Sequence, residues 1–85
     1  MYTVYILYSL QHRKIYIGFT TDIAARFLSH NQLGKKGWTI KYRPWQIIHT
    51  EVFNTKQQAL LREKALKTGR GREWIWDELI ANLQL

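Results

Sequence analysis

Four side chains in the first thirty residues of this 85-residue chain carry groups that can bind anions and exchange protons. Tyr16 follows Tyr5 by eleven residues, and both lie in segments rich in β-branched and aromatic residues. Arg26 and His30 are four residues apart, which places them on one face of a helix. Two phenols, a guanidinium and an imidazole are more polar chemistry than a small domain needs in order to fold. We therefore treat these residues as candidates for a functional site.

Glu63 is a fifth candidate, because apolar neighbours at helical spacing place its carboxylate within or beside a buried stripe, where it needs a partner. One interpretation is an ion pair with Lys67, which stabilises a helix by only about 0.3–0.5 kcal/mol when exposed. The other is a ligand for Mg²⁺ or Mn²⁺, which takes one or two carboxylates and fills its other positions with water and phosphate oxygens. The spacing favours the ion pair and leaves both interpretations open.

The two tyrosines belong to segments that predict a β-hairpin. Residues 2–9 and 14–20 are β-branched and aromatic, with a polar stretch between them. We expect Tyr5 to pair opposite Tyr16, with the connection closing around residues 10–11 and both phenols on one face of the sheet. A shift of one residue would separate the phenols.

The helix that carries Arg26 and His30 has sequence signals at both ends. Thr21 is a candidate cap for a helix over residues 22–33, and Gly34 occupies the position that favours a left-handed end. Residues 34–44 then predict a basic loop with two aromatic residues, which ends at the only proline. Its composition suits contact with something outside the fold.

The second half of the chain predicts one strand and two helices. Residues 45–53 predict a third strand. Thr55, followed three residues later by Gln58, predicts a capping box at the start of a helix that ends near residues 68–69. Residues 72–83 predict a third, amphipathic helix that packs on the sheet. The resulting order, ββαβαα, indicates an α+β domain.

Length and charge limit the class of protein and its partners. We expect one domain over residues 1–85. Thirteen Lys and Arg against six Asp and Glu give a net charge of +7 and a sequence pI near 10.0. Such a balance favours nucleic acid as the partner, the alternative being a basic protein without one. The chain has no cysteine, and no apolar run or signal peptide that would indicate a membrane or export. We therefore expect a cytoplasmic protein that does not bind membranes.

The basic loop supplies the candidate contacts with nucleic acid. They are Lys35, Lys36, Trp38, Lys41 and Arg43. Cationic side chains can follow a phosphate backbone, and an exposed indole can stack on a base. Trp38 is equally suited to covering the core.

The order of these motifs resembles the GIY-YIG nuclease superfamily over nearly the whole chain. The residues that carry the resemblance are Thr3-Val4-Tyr5, Tyr16-Ile17-Gly18, Arg26, His30 and, in a later helix, Glu63. The likeness is to small stand-alone, single-domain members, related to the GIY-YIG nuclease domain of the excision-repair endonuclease. It implies a three-stranded antiparallel sheet flanked by helices, in agreement with the order ββαβαα.

The resemblance implies five catalytic residues, Tyr5, Tyr16, Arg26, His30 and Glu63. Tyr5 would be the general base or a proton relay, helped by hydrogen bonding to Tyr16 or His30. Because a free phenol has a pKa of about 10, this role needs positive charge nearby, for which Arg26 and the metal are the expected sources.

The remaining roles concern the phosphate and the metal. Arg26 would hold the non-bridging phosphate oxygens through its planar, permanently charged fork. Glu63 would bind one divalent metal, Mg²⁺ or Mn²⁺, and Gly18 would let the backbone lie close to the site. Considered singly, each residue has an ordinary alternative: the tyrosines can pack in the core, and the helix face can be solvated.

We therefore expect a metal-dependent DNA endonuclease that hydrolyses phosphodiester bonds. Branched, flapped or damaged DNA in repair or recombination is the candidate substrate, with a protein partner as one means of targeting. The first alternative is a nucleic-acid-binding module that keeps the nuclease fold without useful turnover. The second is a protein-interaction domain, which would show no salt-sensitive binding to DNA or RNA.

Overall fold

A three-stranded antiparallel sheet with helices on both faces forms the fold, in a computed structural model that describes residues 1–35 and 37–83. The central strand is β1 (Tyr2–Ser9), between β2 (Lys14–Thr20) and β3 (Gln46–Phe53). The helices are α1 (Ile23–Leu28), which continues as a π-helical turn (Ser29–Leu33), a 3₁₀ helix (Trp38–Tyr42), α2 (Lys56–Leu66), and α3 (Gly69–Trp74), which continues as a second π-helical segment (Ile75–Ile80). The predicted α+β class, the three-stranded sheet and the order ββαβαα are confirmed.

The predicted pairing of Tyr5 with Tyr16 is wrong by two residues. Tyr5 pairs with Gly18, and Tyr16 pairs with Leu7. The connection takes four residues, 10–13, and not two, with Arg13 at a left-handed φ of 53°. Because side chains alternate with a period of two, a shift of two keeps both phenols on one face. They meet diagonally, with ring centroids 6.1 Å apart.

The first helix begins and ends differently from the prediction. Asp22, and not Thr21, is the cap: its side chain accepts a hydrogen bond from the Ala25 N–H at 3.1 Å. At the other end Gly34 is extended (φ −64°, ψ 140°), and its N–H donates to the Ser29 carbonyl at 2.8 Å to close the π-helical turn. A Cβ atom at position 34 would lie 2.6 Å from that carbonyl oxygen, so close approach and not a left-handed φ explains the glycine.

The later elements follow the prediction with shifted boundaries. The capping box of α2 is present, with the Gln58 N–H donating to Thr55 Oγ1 at 3.2 Å. α3 begins at Gly69, three residues before the predicted start, because the Thr68 side chain accepts from the Gly71 N–H and caps it there. Within the predicted loop, residues 38–42 form a 3₁₀ helix, and Trp45 lies one residue before β3.

The core has two parts, one on each face of the sheet, and β1 contributes to both. One face joins the even-numbered residues of β1 to α2 and the second π-helical segment: Val4, Ile6, Tyr8, Ile15, Ile17, Ala59, Leu66 and Ile75. The other face joins Tyr5 and Leu7 to Trp45, with residues of α1 packed beside them. β1 is therefore covered on both sides, which explains its almost uninterrupted apolar sequence.

None of the helices in the two described ranges has the length and apolar character needed to cross a bilayer.

Candidate active site

The centre of the candidate site is a hydrogen bond between Tyr5 and His30. The Tyr5 hydroxyl lies 2.9 Å from His30 Nε2, and the two side chains come from the middle of β1 and from the π-helical turn after α1. Both residues are buried. The phenol lies over Gly18, where a Cβ atom would stand only 2.7 Å from Tyr5 Oη. The missing side chain at position 18 is thus what gives the ring its place.

The second ring nitrogen of His30 fixes which proton the imidazole carries. His30 Nδ1 lies 3.2 Å from Thr39 Oγ1, in the 3₁₀ helix. Burial, reinforced by the charges of Arg26 and Arg43, lowers the pKa of His30, so the ring is neutral near pH 7. We assign the tautomer in which Nδ1–H donates to Thr39 and Nε2 accepts the Tyr5 proton.

Arg26 lies beside both phenols, one turn before His30 on the same helical face. Hydrogen bonding to Tyr5 raises the pKa of Arg26, and Tyr16 contributes in the same direction, although partial burial opposes them. The guanidinium therefore remains charged while it contacts the tyrosine pair. A planar cation in this position is suited to holding an anion against the two phenols.

Burial determines the protonation of Tyr5. It raises the pKa of Tyr5 to about 12, with the Arg26 hydrogen bond lowering that pKa and the Tyr16 and Glu63 charges raising it. The sequence led us to expect that Arg26 would favour the phenolate. In the protein without bound metal or substrate, burial outweighs Arg26 and the phenol stays protonated at neutral pH.

A cavity of about 180 Å³ opens beside this group. Tyr16, Arg26 and His30 form one side of it, and Gly37, Trp38 and Thr39 form the other. The catalytic candidates of the hairpin and α1 therefore face a space that the basic loop also lines.

Glu63 is placed differently from the other four candidates. It lies on α2, between Ala59 and Leu66 in sequence, and its side chain is 18% exposed. Its Oε1 is 3.2 Å from Lys67 Nζ, so the ion pair considered from the sequence is present. Glu63 does not line the cavity, yet its charge is near enough to raise the pKa of Tyr5, as the smallest of the five causes.

The fit of a divalent metal to these residues depends on one carboxylate. Within residues 1–35 and 37–83, no group of three or more His, Asp and Glu side chains could hold a metal ion. Mg²⁺ does not need such a cage, because one carboxylate with water and substrate phosphate is a common ligand set. The Glu63–Lys67 pair competes only weakly for the carboxylate, since its lysine is 45% exposed. Glu63 therefore fits a metal that binds together with substrate.

The structure separates the five loop candidates. Lys35 and Lys41 are exposed, Trp38 is 45% exposed, and Lys36 lies outside the described residues. Arg43 instead binds the fold itself: Nε donates to the His30 carbonyl at 2.7 Å, and Nη2 donates to the Ser29 and Gly34 carbonyls at 3.0 and 2.7 Å. This arginine closes the carbonyl end of the turn that carries His30.

Sequence reasoning missed Thr39 and this use of Arg43. Thr39 follows His30 by nine residues, a separation with no helical or strand periodicity, so no spacing signal connects the two. For Arg43, the preceding lysines suggested one continuous basic surface. The only available hint was that a helix end needs partners for its last carbonyls.

Comparison with known proteins agrees with this geometry. The family model described as the GIY-YIG catalytic domain matches residues 1–74. UPF0213 protein SSP2268 of Staphylococcus saprophyticus is 39% identical over 55 residues, which are 65% of this chain and 67% of the relative. UPF0213 protein SH2523 of Staphylococcus haemolyticus is 34% identical over 65 residues, 76% and 78% of the two chains. UPF0213 protein HQ_3675A of Haloquadratum walsbyi is 35% identical over 65 residues, 76% and 72%. The chain therefore belongs to the GIY-YIG nuclease family, which implies a nucleic-acid substrate.

Proposed function

We propose that this protein is a divalent-metal-dependent endonuclease that hydrolyses phosphodiester bonds in DNA. The observation that carries the proposal is the Tyr5–His30 hydrogen bond of 2.9 Å, with Arg26 and Tyr16 beside it at the wall of one cavity. Phosphodiester hydrolysis needs a proton acceptor for water, a cation for the phosphate and stabilisation of the leaving oxygen. Each task has a candidate here.

The proton acceptor is the Tyr5–His30 pair and not a free phenolate. With a pKa raised to about 12, Tyr5 alone is protonated at neutral pH. Tyr5 Oη can accept a proton from the attacking water while its own proton moves to His30 Nε2. Arg26 disfavours the resulting imidazolium, because it lowers the pKa of His30. A phosphate bound at Arg26 offsets that charge, so substrate binding itself makes His30 the better base.

Arg26 holds the phosphate in this proposal. Its fork can donate to two non-bridging oxygens at once, and it stays charged at every working pH. Tyr16 lines the same wall and positions the phosphate through its hydroxyl.

Glu63 would hold Mg²⁺ or Mn²⁺, after exchange of its ion pair with Lys67. When bound, such a metal polarises the phosphate and stabilises the leaving 3′ oxygen. The Glu63 carboxylate itself orients toward substrate once Lys67 is released. Because Lys67 is exposed, its ammonium can return to water at little cost.

Cleavage of a labelled DNA panel tests the proposal. The panel contains single-stranded, duplex, flap and branched DNA with Mg²⁺ or Mn²⁺, and Glu63→Gln is compared with the parent protein. Glu73→Gln is the matched control, because it removes the same charge from an exposed position on α3. We expect cuts that require metal, disappear in Glu63→Gln and persist in Glu73→Gln. Equal cutting by all three proteins would exclude Glu63 as the metal ligand.

The raised pKa of Tyr5 and the occupied Glu63 carboxylate also favour a second candidate, a nucleic-acid-binding module with little turnover. It predicts salt-sensitive DNA binding in the parent and in Glu63→Gln, without cutting in either. A role in repair or recombination, and a protein partner that selects the substrate, belong to the same proposal. Cleavage that appears only when a cell extract is added would support the partner.

A further inference from the structure

The cavity beside Tyr16 and Arg26 has a second wall that phosphate chemistry does not use. This wall is Gly37, Trp38 and Thr39, at the start of the 3₁₀ helix. At about 180 Å³, the space corresponds to roughly six water molecules of ~30 Å³ each. It is below the ~300–1,000 Å³ of pockets that enclose whole small ligands. Its size suits one planar ring next to a phosphate.

Trp38 is held in place although it is not part of the core. Its ring centroid lies 4.6 Å from that of Tyr42 and 5.8 Å from that of Trp45. Trp45 is buried, and its indole N–H donates to the Thr39 carbonyl at 2.8 Å, which fixes the start of the 3₁₀ helix. The core is thus already closed by Trp45, and Trp38 rests on it with 45% of its surface exposed.

The mouth of the cavity is open on the side of the basic loop. Gly37 has a φ of 109°, and a Cβ atom there would meet nothing within 4 Å. Lys35 and Lys41 are exposed on either side of it. A strand whose phosphate lies at Arg26 can therefore continue along these lysines, with its base at the cavity.

We propose that this cavity receives one nucleobase, stacked on Trp38, from the nucleotide adjacent to the phosphate held at Arg26, so that the preferred substrate is unpaired DNA. The inference rests on the proposed function and names its substrate class. A paired base would have to leave its stack to enter the cavity, at a cost of a few kcal/mol, whereas an unpaired base avoids most of that cost. Stacking on an aromatic ring accepts every base, so we expect little sequence preference.

Cleavage of a single strand that contains one abasic residue tests the inference bond by bond. The parent protein should cut throughout the strand but spare the bond at a fixed offset from the abasic residue, by about 5-fold or more, because that bond loses its stacked base. Cuts elsewhere in the same strand serve as the internal control. In Trp38→Ala the gap should disappear, because all bonds are then cut at the reduced rate. Uniform cutting of the abasic strand by the parent protein would overturn the inference.

Two further variants separate loss of stacking from loss of folding. Trp38→Phe keeps a planar ring and should restore part of the gap. Val52→Ala truncates a similarly exposed apolar side chain on β3, away from the cavity, and should behave as the parent. All variants are compared at equal folded fraction, measured by thermal unfolding. A fully paired duplex cut as fast as the single strand would also contradict the inference.

Binding distinguishes failure of this inference from failure of the proposed nuclease. In Glu63→Gln, Trp38→Ala should lower the affinity for a short single strand about 5-fold or more and leave duplex affinity unchanged. If no DNA is cut at all, the nuclease proposal fails, and this binding difference still supports the base site. Equal affinities of the two proteins for the single strand would reject it.

Discussion

Gly18→Ala tests whether the Tyr5 phenol depends on the space above a residue without a side chain. The added Cβ atom would stand 2.7 Å from Tyr5 Oη, 2.9 Å from Tyr5 Cζ and 3.1 Å from Tyr16 Cε1. Ordinary contacts begin near 3.4 Å, so Oη has to move by about 0.7 Å, the difference between 3.4 and 2.7. Tyr5 is 1% exposed and cannot leave its place for solvent. The displacement therefore acts on its hydrogen bond with His30.

The expected loss of stability has two parts. Overpacking a filled core costs about 1–3 kcal/mol. Weakening the 2.9 Å bond between two buried groups adds up to ~1–3 kcal/mol, because neither group can reach water instead. We expect the free energy of unfolding to fall by about 2–4 kcal/mol. Cleavage should fall about 100-fold in the protein that remains folded, as for other misplacements of a reacting group by close to 1 Å.

Urea unfolding and cleavage rate per folded molecule measure the two effects separately. Gly69→Ala is the matched control, because a Cβ atom there meets nothing within 4 Å and the residue begins α3. Alanine is the better helix former, so this variant should be as stable as the parent or more stable, by up to ~1 kcal/mol. Its cleavage should be unchanged.

The reasoning is refuted if Gly18→Ala unfolds within ~0.5 kcal/mol of the parent, the range of a neutral surface change, and cuts at the parental rate. Loss of cleavage without loss of stability would mean that the alanine acts on substrate and not on Tyr5.

Three further predictions use the same assays. Arg26→Lys keeps the charge but loses the planar fork, so cleavage should fall by about 10²-fold with little change in thermal unfolding; unchanged cleavage would contradict phosphate binding by the fork. Arg43→Ala removes three hydrogen bonds to carbonyls and should lower the free energy of unfolding by about 2 kcal/mol or more; a DNA-binding defect at full stability would instead favour the role predicted from the sequence. Because folding raises the pKa of Tyr5 to about 12, its contribution is complete below pH 10 and is lost as the pH rises toward 12; stability should fall by about 2–3 kcal/mol across that interval, and Tyr5→Phe should remove this decline.

The sequence was sufficient for the elements whose signals are local. β-branched and aromatic runs predicted all three strands, and Thr55 with Gln58 predicted the start of α2. These features depend on neighbouring residues alone. The hairpin register was not predictable, because it depends on how many residues the turn takes, and Arg13 at positive φ extends the turn to four.

For the site, the sequence identified the residue types but not their partners. Spacing on one helical face brought Arg26 and His30 together as expected. Thr39 and Arg43 reach the His30 turn from the following segment, and no periodicity connects positions that meet only through a chain reversal. The protonation of Tyr5 was also inaccessible, since it depends on the depth at which folding buries the ring.

The grip of Arg43 on the carbonyls of Ser29, His30 and Gly34 makes the basic loop and the imidazole one thermodynamic unit. Any DNA strand that stabilises the loop also stabilises the position of His30, and by reciprocity a well-placed Tyr5–His30 pair increases the affinity of the loop for that strand. Substrate recognition at the rim and proton transfer at the centre are then linked equilibria, so a change in one alters the other without any new contact between them.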